Sequence, residues 1–262
     1  MSPFSSPPVY PARLEKAKTD ADLVFVCDHA SNHFPPEFGT LGLTAAQQSA
    51  HIAWDPGALG LARGLLQRLG GVLAAAQVSR LIYDCNRPPD APGAMATQSE
   101  IHAVPGNLGL TPADRLARVR AVYLPFHDTL RAEITRRIAV GRPPVIVTVH
   151  SFSPVWHGVS RTVEFGVIHD DDPALALAVL AAAQAMTPLQ SALNQPYSAR
   201  DGVTHTLRLQ ALPNRLANVM LEVRNDLIAE PQDQDRMAEV LAPVLAAALT
   251  AIDRDDPAPG QE

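Results

Sequence analysis

Cysteine is scarce in this chain of 262 residues, with Cys27 and Cys85 the only two. That count excludes a disulfide framework and a paired-cysteine zinc knuckle, and a reducing cytoplasm is the expected compartment. Long apolar runs are missing too: no stretch approaches the roughly 20 residues of a membrane span. The opening MSPFSSPPVYPARLEKAK has no apolar core and no small-residue cleavage site after one, so an unprocessed soluble protein is expected. Lysine is almost absent beyond Lys18, and scattered arginines carry the positive charge in a chain of net charge -6. Without a basic run, nucleic-acid binding is disfavoured, because phosphate contact depends on clustered Lys and Arg.

What is present is a chain 47% hydrophobic and 18% charged, enough for the core of one sizeable domain. DLVFVCDH, PPVIVTVHS, VEFGVIHD and ANVMLEVRND read as strands, being short and rich in β-branched residues. GVLAAAQVSRLIYDCN is expected to supply one or two more, ending on Asn86-Arg87. Between them lie helical signals. Thr44 and Gln47 form a capping-box pattern. Asp55 reads as the N-cap of a helix with Pro56 in its first position and Gly70-Gly71 as its stop. A long helix over 111–140 is expected to kink at Pro125. Helices over 173–188 and 231–252 are apolar nearly all round, which fits core or a homo-oligomer contact. The Pro/Gly-rich loop over 88–107 is long enough to be functional and is placed to cover a substrate.

Strands alternating with helices predict an α/β fold, a mostly parallel twisted sheet with helices on both faces. The expected layout is an N-terminal arm over 1–20 leading into a short helix, a single domain over 21–252 and a disordered tail over 253–262.

Three strand ends place polar groups where an open sheet forms its crevice: Asp28-His29, His150 and Glu222. Two imidazoles and a carboxylate are the usual kit of a catalytic zinc that keeps an open position. Glu222 would be the general base, since an acid following NVML sits in an apolar strand, where an unpaired carboxylate is costly. Its structural alternative is an ion pair with Arg161 or Arg224. Arg80, Arg87 and Arg208 are candidates for oxyanion or substrate-anion binding. His205 stands with Thr204, Thr206 and Arg208 in one polar cluster.

The stretches CDHASNHFP, HIAWDPGA, SRLIYDCNRP, TVHSFSP and MLEVRNDL, in that order, resemble the N-formylglutamate amidohydrolase family, which is similar to zinc carboxypeptidases and aspartoacylases. The resemblance covers most of 22–228. It implies a zinc carboxypeptidase-like fold and a zinc-dependent hydrolysis of an N-acyl amino acid, N-formyl-L-glutamate first, giving formate and glutamate in histidine degradation. Another N-acyl amino acid, a peptide-like amide, or a non-catalytic binding homologue are the alternatives. By the same resemblance His29 and His150 hold the metal, Arg80 polarises the scissile carbonyl, Asn86 and Arg87 grip a substrate carboxylate, and the segment with His205 and Arg208 shapes the pocket. One departure is plain. Carboxypeptidase-like relatives carry a ligand Glu three residues after the first His, where this chain has Asn32. The third ligand then falls to Asp55, with His51 second and Asp28 third; Asp28 could instead orient a His from behind.

Overall fold

A computed structural model describes residues 8–255. Its seven-stranded sheet has the order β1-β3-β2-β6-β11-β9-β10. The strands are β1 (Arg13–Lys16), β2 (Leu23–Cys27), β3 (Val72–Ala75), β6 (Val145–Phe152), β9 (Phe165–Ile168), β10 (Ser191–Leu193) and β11 (Asn218–Arg224). β3, β2, β6 and β11 run parallel, while β1 joins β3, and β9 joins β11, antiparallel. Two small ribbons stand apart: β4 (Gln98–Ser99) with β5 (His102–Ala103), and β7 (Val155–Trp156) with β8 (Val159–Ser160).

β2 is buried along its whole length, which is why LVFVC shows no polar alternation: helices cover both faces. On one face α2 (Ala58–Leu69), α5 (Ala174–Met186) and α6 (Pro231–Asp255) pack through Leu61, Leu65, Val179 and Leu241 onto Phe25, Leu73 and Leu221. On the other, α4 (Leu124–Ala139) contributes Phe126, Leu130 and Ile134 against Val24, Val26 and Ile146. The expected α/β architecture is therefore what the chain adopts. No described helix is long and apolar enough to cross a membrane.

Several local expectations are corrected. Within 1–20 the described part forms the edge strand β1, not a helix; RLEK is mostly exposed, and its charges suit an edge that must not pair with another chain. The capping box at Thr44 forms as expected, but α1 (Ala45–Ser49) stops after little more than one turn. β3 ends at Ala75, so Arg80, Asn86 and Arg87 lie in the turns beyond it. α3 (Pro112–Arg118) continues through a π-helical turn, Val119–Tyr123, into α4. The wide turn accommodates Pro125, whose ring would otherwise meet a carbonyl four residues back. α6 runs on to Asp255, and the remainder of the expected tail, 256–262, lies outside the described residues.

Candidate metal centre and active site

β2 runs off its end into Asp28 and His29, while His150 and Glu222 are carried inside β6 and β11. Asp55 arrives from the turn before α2. The N-cap of α2 is Gly57, not Asp55, and no side chain caps the helix. Gly57 has φ +81°, and a Cβ there would lie 2.2 Å from the Ile228 carbonyl oxygen, so only glycine serves. Freed from capping, the Asp55 carboxylate turns inward.

There it meets both imidazoles. His29 Nδ1 lies 3.1 Å, and His150 Nδ1 2.9 Å, from the same oxygen, Asp55 Oδ2. One donor atom from each of the three residues lies within 4.8 Å of the others. Each ring also has a carboxylate behind it: His29 Nε2 is 2.7 Å from Asp84 Oδ1, and His150 Nε2 is 3.5 Å from Asp28 Oδ2. Thr206 Oγ1 donates to Asp28 Oδ2 at 3.1 Å. Arg80 braces the group, donating to Asp55 Oδ1 at 3.3 Å and Asp84 Oδ2 at 2.7 Å.

The electrostatics fit a cation. Burial works against the Asp84 and Asp55 carboxylates, yet Arg80 and His29 hold Asp84, and His29 and His150 hold Asp55, below the usual carboxylate range. Burial likewise opposes charge on His150, but Asp28 and Asp55 push it up to about 10. Burial and Arg80 oppose charge on His29, and Asp84 and Asp55 still raise it. Buried carboxylates thus demand positive charge where two Nδ1 atoms converge. Two imidazoles, one carboxylate and a carboxylate behind each ring are a donor set suited to a divalent ion such as zinc.

The other candidate ligands do not join these three, although His51 lines the same cavity. Asn32 donates to the Gln48 carbonyl at 3.2 Å. His51 pairs with Glu100 at 3.0 Å. Asp28 faces His150 from behind.

Beside the cluster opens a cavity of about 300 Å³, reached by His29, Asp55, Arg80, Arg87, His150 and Glu222. Glu222 is 4% exposed, and its Oε2 has no partner among the described residues. Burial pushes its carboxyl up to about 7, against the pull of His150. Neither Arg161 nor Arg224 forms an ion pair with it; Arg224 binds Asp226. Asn86 and Arg87 line the same cavity, but the Asn86 amide is engaged, donating to the Val203 carbonyl and accepting from Thr206 N at 3.0 Å. Arg87 Nη1 donates to the Gly202 carbonyl. His205 and Arg208 are not brought to this cavity. They line a second one of about 310 Å³ together with Pro88 and Gly202, with His205 Nε2 2.9 Å from Tyr123 Oη and Arg208 3.7 Å from Asp170. Sequence reasoning missed Asp84 and Tyr197. Asp84 had a signal, standing four residues after Arg80 inside a motif already singled out.

The sequence matches the N-formylglutamate amidohydrolase family over residues 21–229. The chain belongs to that family. It is accordingly a hydrolase acting on amides, with a small-molecule substrate. The gene product Atu2144 from Agrobacterium tumefaciens, a crystal structure, is 49% identical with a TM-score of 0.90 over 93% of this chain and 96% of that one. The N-formylglutamate amidohydrolase from Ralstonia eutropha JMP134 shares the fold at 18% identity, with a TM-score of 0.65 over 94% of this chain and 99% of that one. No curated protein matches the chain.

Proposed function

We propose that this family member is a zinc-dependent amidohydrolase that cleaves N-formyl-L-glutamate to formate and glutamate. The observation that carries the reading is the convergence of His29 Nδ1 and His150 Nδ1 on Asp55 Oδ2 beside the unpartnered buried oxygen of Glu222. His29, Asp55 and His150 would hold the ion, which when bound would supply Lewis acidity for the amide carbonyl and for water.

The chain's own groups do the rest. Glu222 Oε2 takes a proton from the attacking water and returns it to the departing amino nitrogen. A carboxyl near 7 is matched to both tasks, because it accepts and releases a proton at little cost around neutrality. Arg80, held on Asp55 and Asp84 yet with 28% of its side chain exposed, stabilises the negative charge that grows on the carbonyl oxygen. Arg87 takes a substrate carboxylate with its guanidinium fork. Asn86 places the 203–206 segment rather than gripping substrate directly. Two buried, unpaired cysteines support a reducing, cytoplasmic setting.

The test is a panel of N-formyl and N-acetyl amino acids, assayed after chelation and after zinc is restored. N-formyl-L-glutamate should have the highest kcat/KM, and only with metal. Equal turnover across the panel would remove the substrate assignment, and full activity after metal removal would remove the zinc.

A further inference from the structure

N-formylglutamate carries two carboxylates, and the reading above gives only one of them a partner, Arg87. Opposite strand β11, the β7–β8 ribbon leads into Arg161, whose backbone N donates to the Pro154 carbonyl at 2.8 Å and closes the ribbon's base. Its guanidinium carbon lies 5.1 Å from the centre of the Trp156 ring, 5.0 Å from that of Tyr197 and 5.5 Å from that of Phe152. All three rings belong to the wall of the 300 Å³ cavity.

How this guanidinium is bonded matters more than where it sits. Nη1 donates to the Ser153 carbonyl at 3.3 Å and to Tyr197 Oη at 3.1 Å. Nε and Nη2, which form one complete edge of the fork, have no acceptor among the described residues, and no carboxylate there lies within ion-pair distance. Arg224 shows the contrast: its Nε and Nη2 both rest on Asp226, at 2.8 and 3.2 Å. Aromatic faces hold the Arg161 plane and offset part of its desolvation, but the open edge matches the geometry of a carboxylate. Tyr197 adds a donor. Its oxygen already accepts from Arg161, which leaves its own O–H for a ligand. Tyr197 lines the same cavity as Glu222 and Arg80, with Arg161 packed behind it and the other two rings, which sets the pair beside the chemistry.

We propose that Arg161, assisted by Tyr197, is the specificity-determining anchor for the side-chain carboxylate of an N-acyl dicarboxylic amino acid, while Arg87 holds the α-carboxylate. This deepens, and rests on, the amidohydrolase reading. It makes the enzyme selective for acidic over neutral amino acids of the same shape.

Two arms test it on the zinc-loaded protein. In the first, Arg161→Met is compared with wild type on N-formyl-L-glutamate and on its neutral isostere N-formyl-L-glutamine. KM for the glutamate compound should rise about 100-fold, as for loss of a partner from a desolvated charge pair. Its kcat and both constants for the glutamine compound should stay within a few-fold, and Arg161→Lys should restore part of the loss. An equal loss on both substrates, or none on either, overturns the assignment. The second arm needs no turnover: glutarate, with the same carboxylate spacing, and butyrate are titrated by calorimetry. Wild type should bind glutarate about 100-fold more tightly than Arg161→Met does, with butyrate indifferent; equal or absent glutarate binding in both proteins overturns the anchor. Should wild type hydrolyse no N-formyl amino acid yet bind glutarate through Arg161, the catalytic reading falls and the anchor stands.

Discussion

Glu222 on β11 stands in direct register with His150 on the parallel neighbour β6. Residues in register on adjacent parallel strands project to the same face of the sheet, so acid and imidazole are set side by side by backbone hydrogen bonds alone. The His29 ring then approaches that of His150 edge-on, with centroids 5.0 Å apart and planes at 71°. A base mounted on a central strand needs no loop to close before it is in position, which is the rigidity that catalytic groups require.

Replacing that acid should therefore remove chemistry and spare the metal. Glu222→Gln keeps the shape and loses the base, and kcat should fall about 1,000-fold, within the range general-base catalysis supplies. Zinc content, read by atomic absorption, should stay at wild-type level. A variant that retained most of its turnover would move the base to another residue.

The pH profile should report the same group. Glu222 acts as a base only when ionised, and burial pushes it up to about 7. In the zinc-loaded enzyme the bound cation draws that value down, so kcat/KM should climb about tenfold per pH unit along an acid limb lying between the ordinary carboxylate value and about 7, and level off above it. An acid limb centred near the ordinary carboxylate value of about 4 would contradict this assignment.

Metal affinity should depend on the acids behind the rings. Asp28→Asn leaves all three ligands in place but removes the charge facing His150 Nε2, and should weaken zinc binding about 10–100-fold, measured by competition with a chromophoric chelator. Because protons compete for His29 and His150, affinity should also fall as pH is lowered. Unchanged affinity in Asp28→Asn would mean that the 3.5 Å contact does not orient the ring.

Asn86 and Arg87, adjacent in sequence, should separate cleanly in experiment. Arg87→Met should raise KM for N-formyl-L-glutamate by one to two decades, roughly the worth of a charge-assisted pair. Asn86→Ala leaves the half-buried Val203 carbonyl and the buried Thr206 N–H without partners, and should cost about 1–3 kcal/mol in urea unfolding. If Asn86→Ala raised KM at unchanged stability, Asn86 would touch substrate after all.

Acid lability below neutrality should trace to His127. Its Nε2 lies 2.8 Å from the Cys85 carbonyl oxygen, and its Nδ1 3.1 Å from Gln210 Nε2. The ring is thus held neutral, and burial lowers its pKa to about 4. In the unfolded chain it takes up a proton near 6.5. The unfolded state therefore gains protons first as pH falls, and the stability present above 6.5 is lost on the way down to about 4. Between pH 7 and 5 the loss contributed by His127 should be about 2 kcal/mol, read as the difference between wild type and His127→Gln. The difference is the measure because Glu222, pushed up to about 7, takes up its proton first in the folded state and adds stability over the same range. The same slope in both proteins would place the sensitivity elsewhere.

Much of this was legible in one dimension, and the limit has a physical cause. Apolar runs of β-branched residues ending on Asp28-His29, His150 and Glu222 specify strands, their burial and their polar ends, because those are local consequences of backbone preference and hydrophobicity. The capping box at Thr44 and the stop at Gly70 are equally local. In the sequence Asp55 fits two roles, N-cap and ligand, and only the fold chooses: whether a carboxylate caps its helix or turns inward depends on Gly57 and on Ile228, far away in the chain. His205 and Arg208 follow Val203 closely in sequence, yet Val203 lines the cavity beside the metal cluster while they line another. Asp84 behind His29, and Tyr197 beside Arg161, are pairings across the packed interior. Sequence alone determined which elements form and which chemical groups they carry; tertiary structure decided which groups meet, because contact between distant residues is set by how the sheet and loops pack and not by any preference a residue has for its neighbours in the chain.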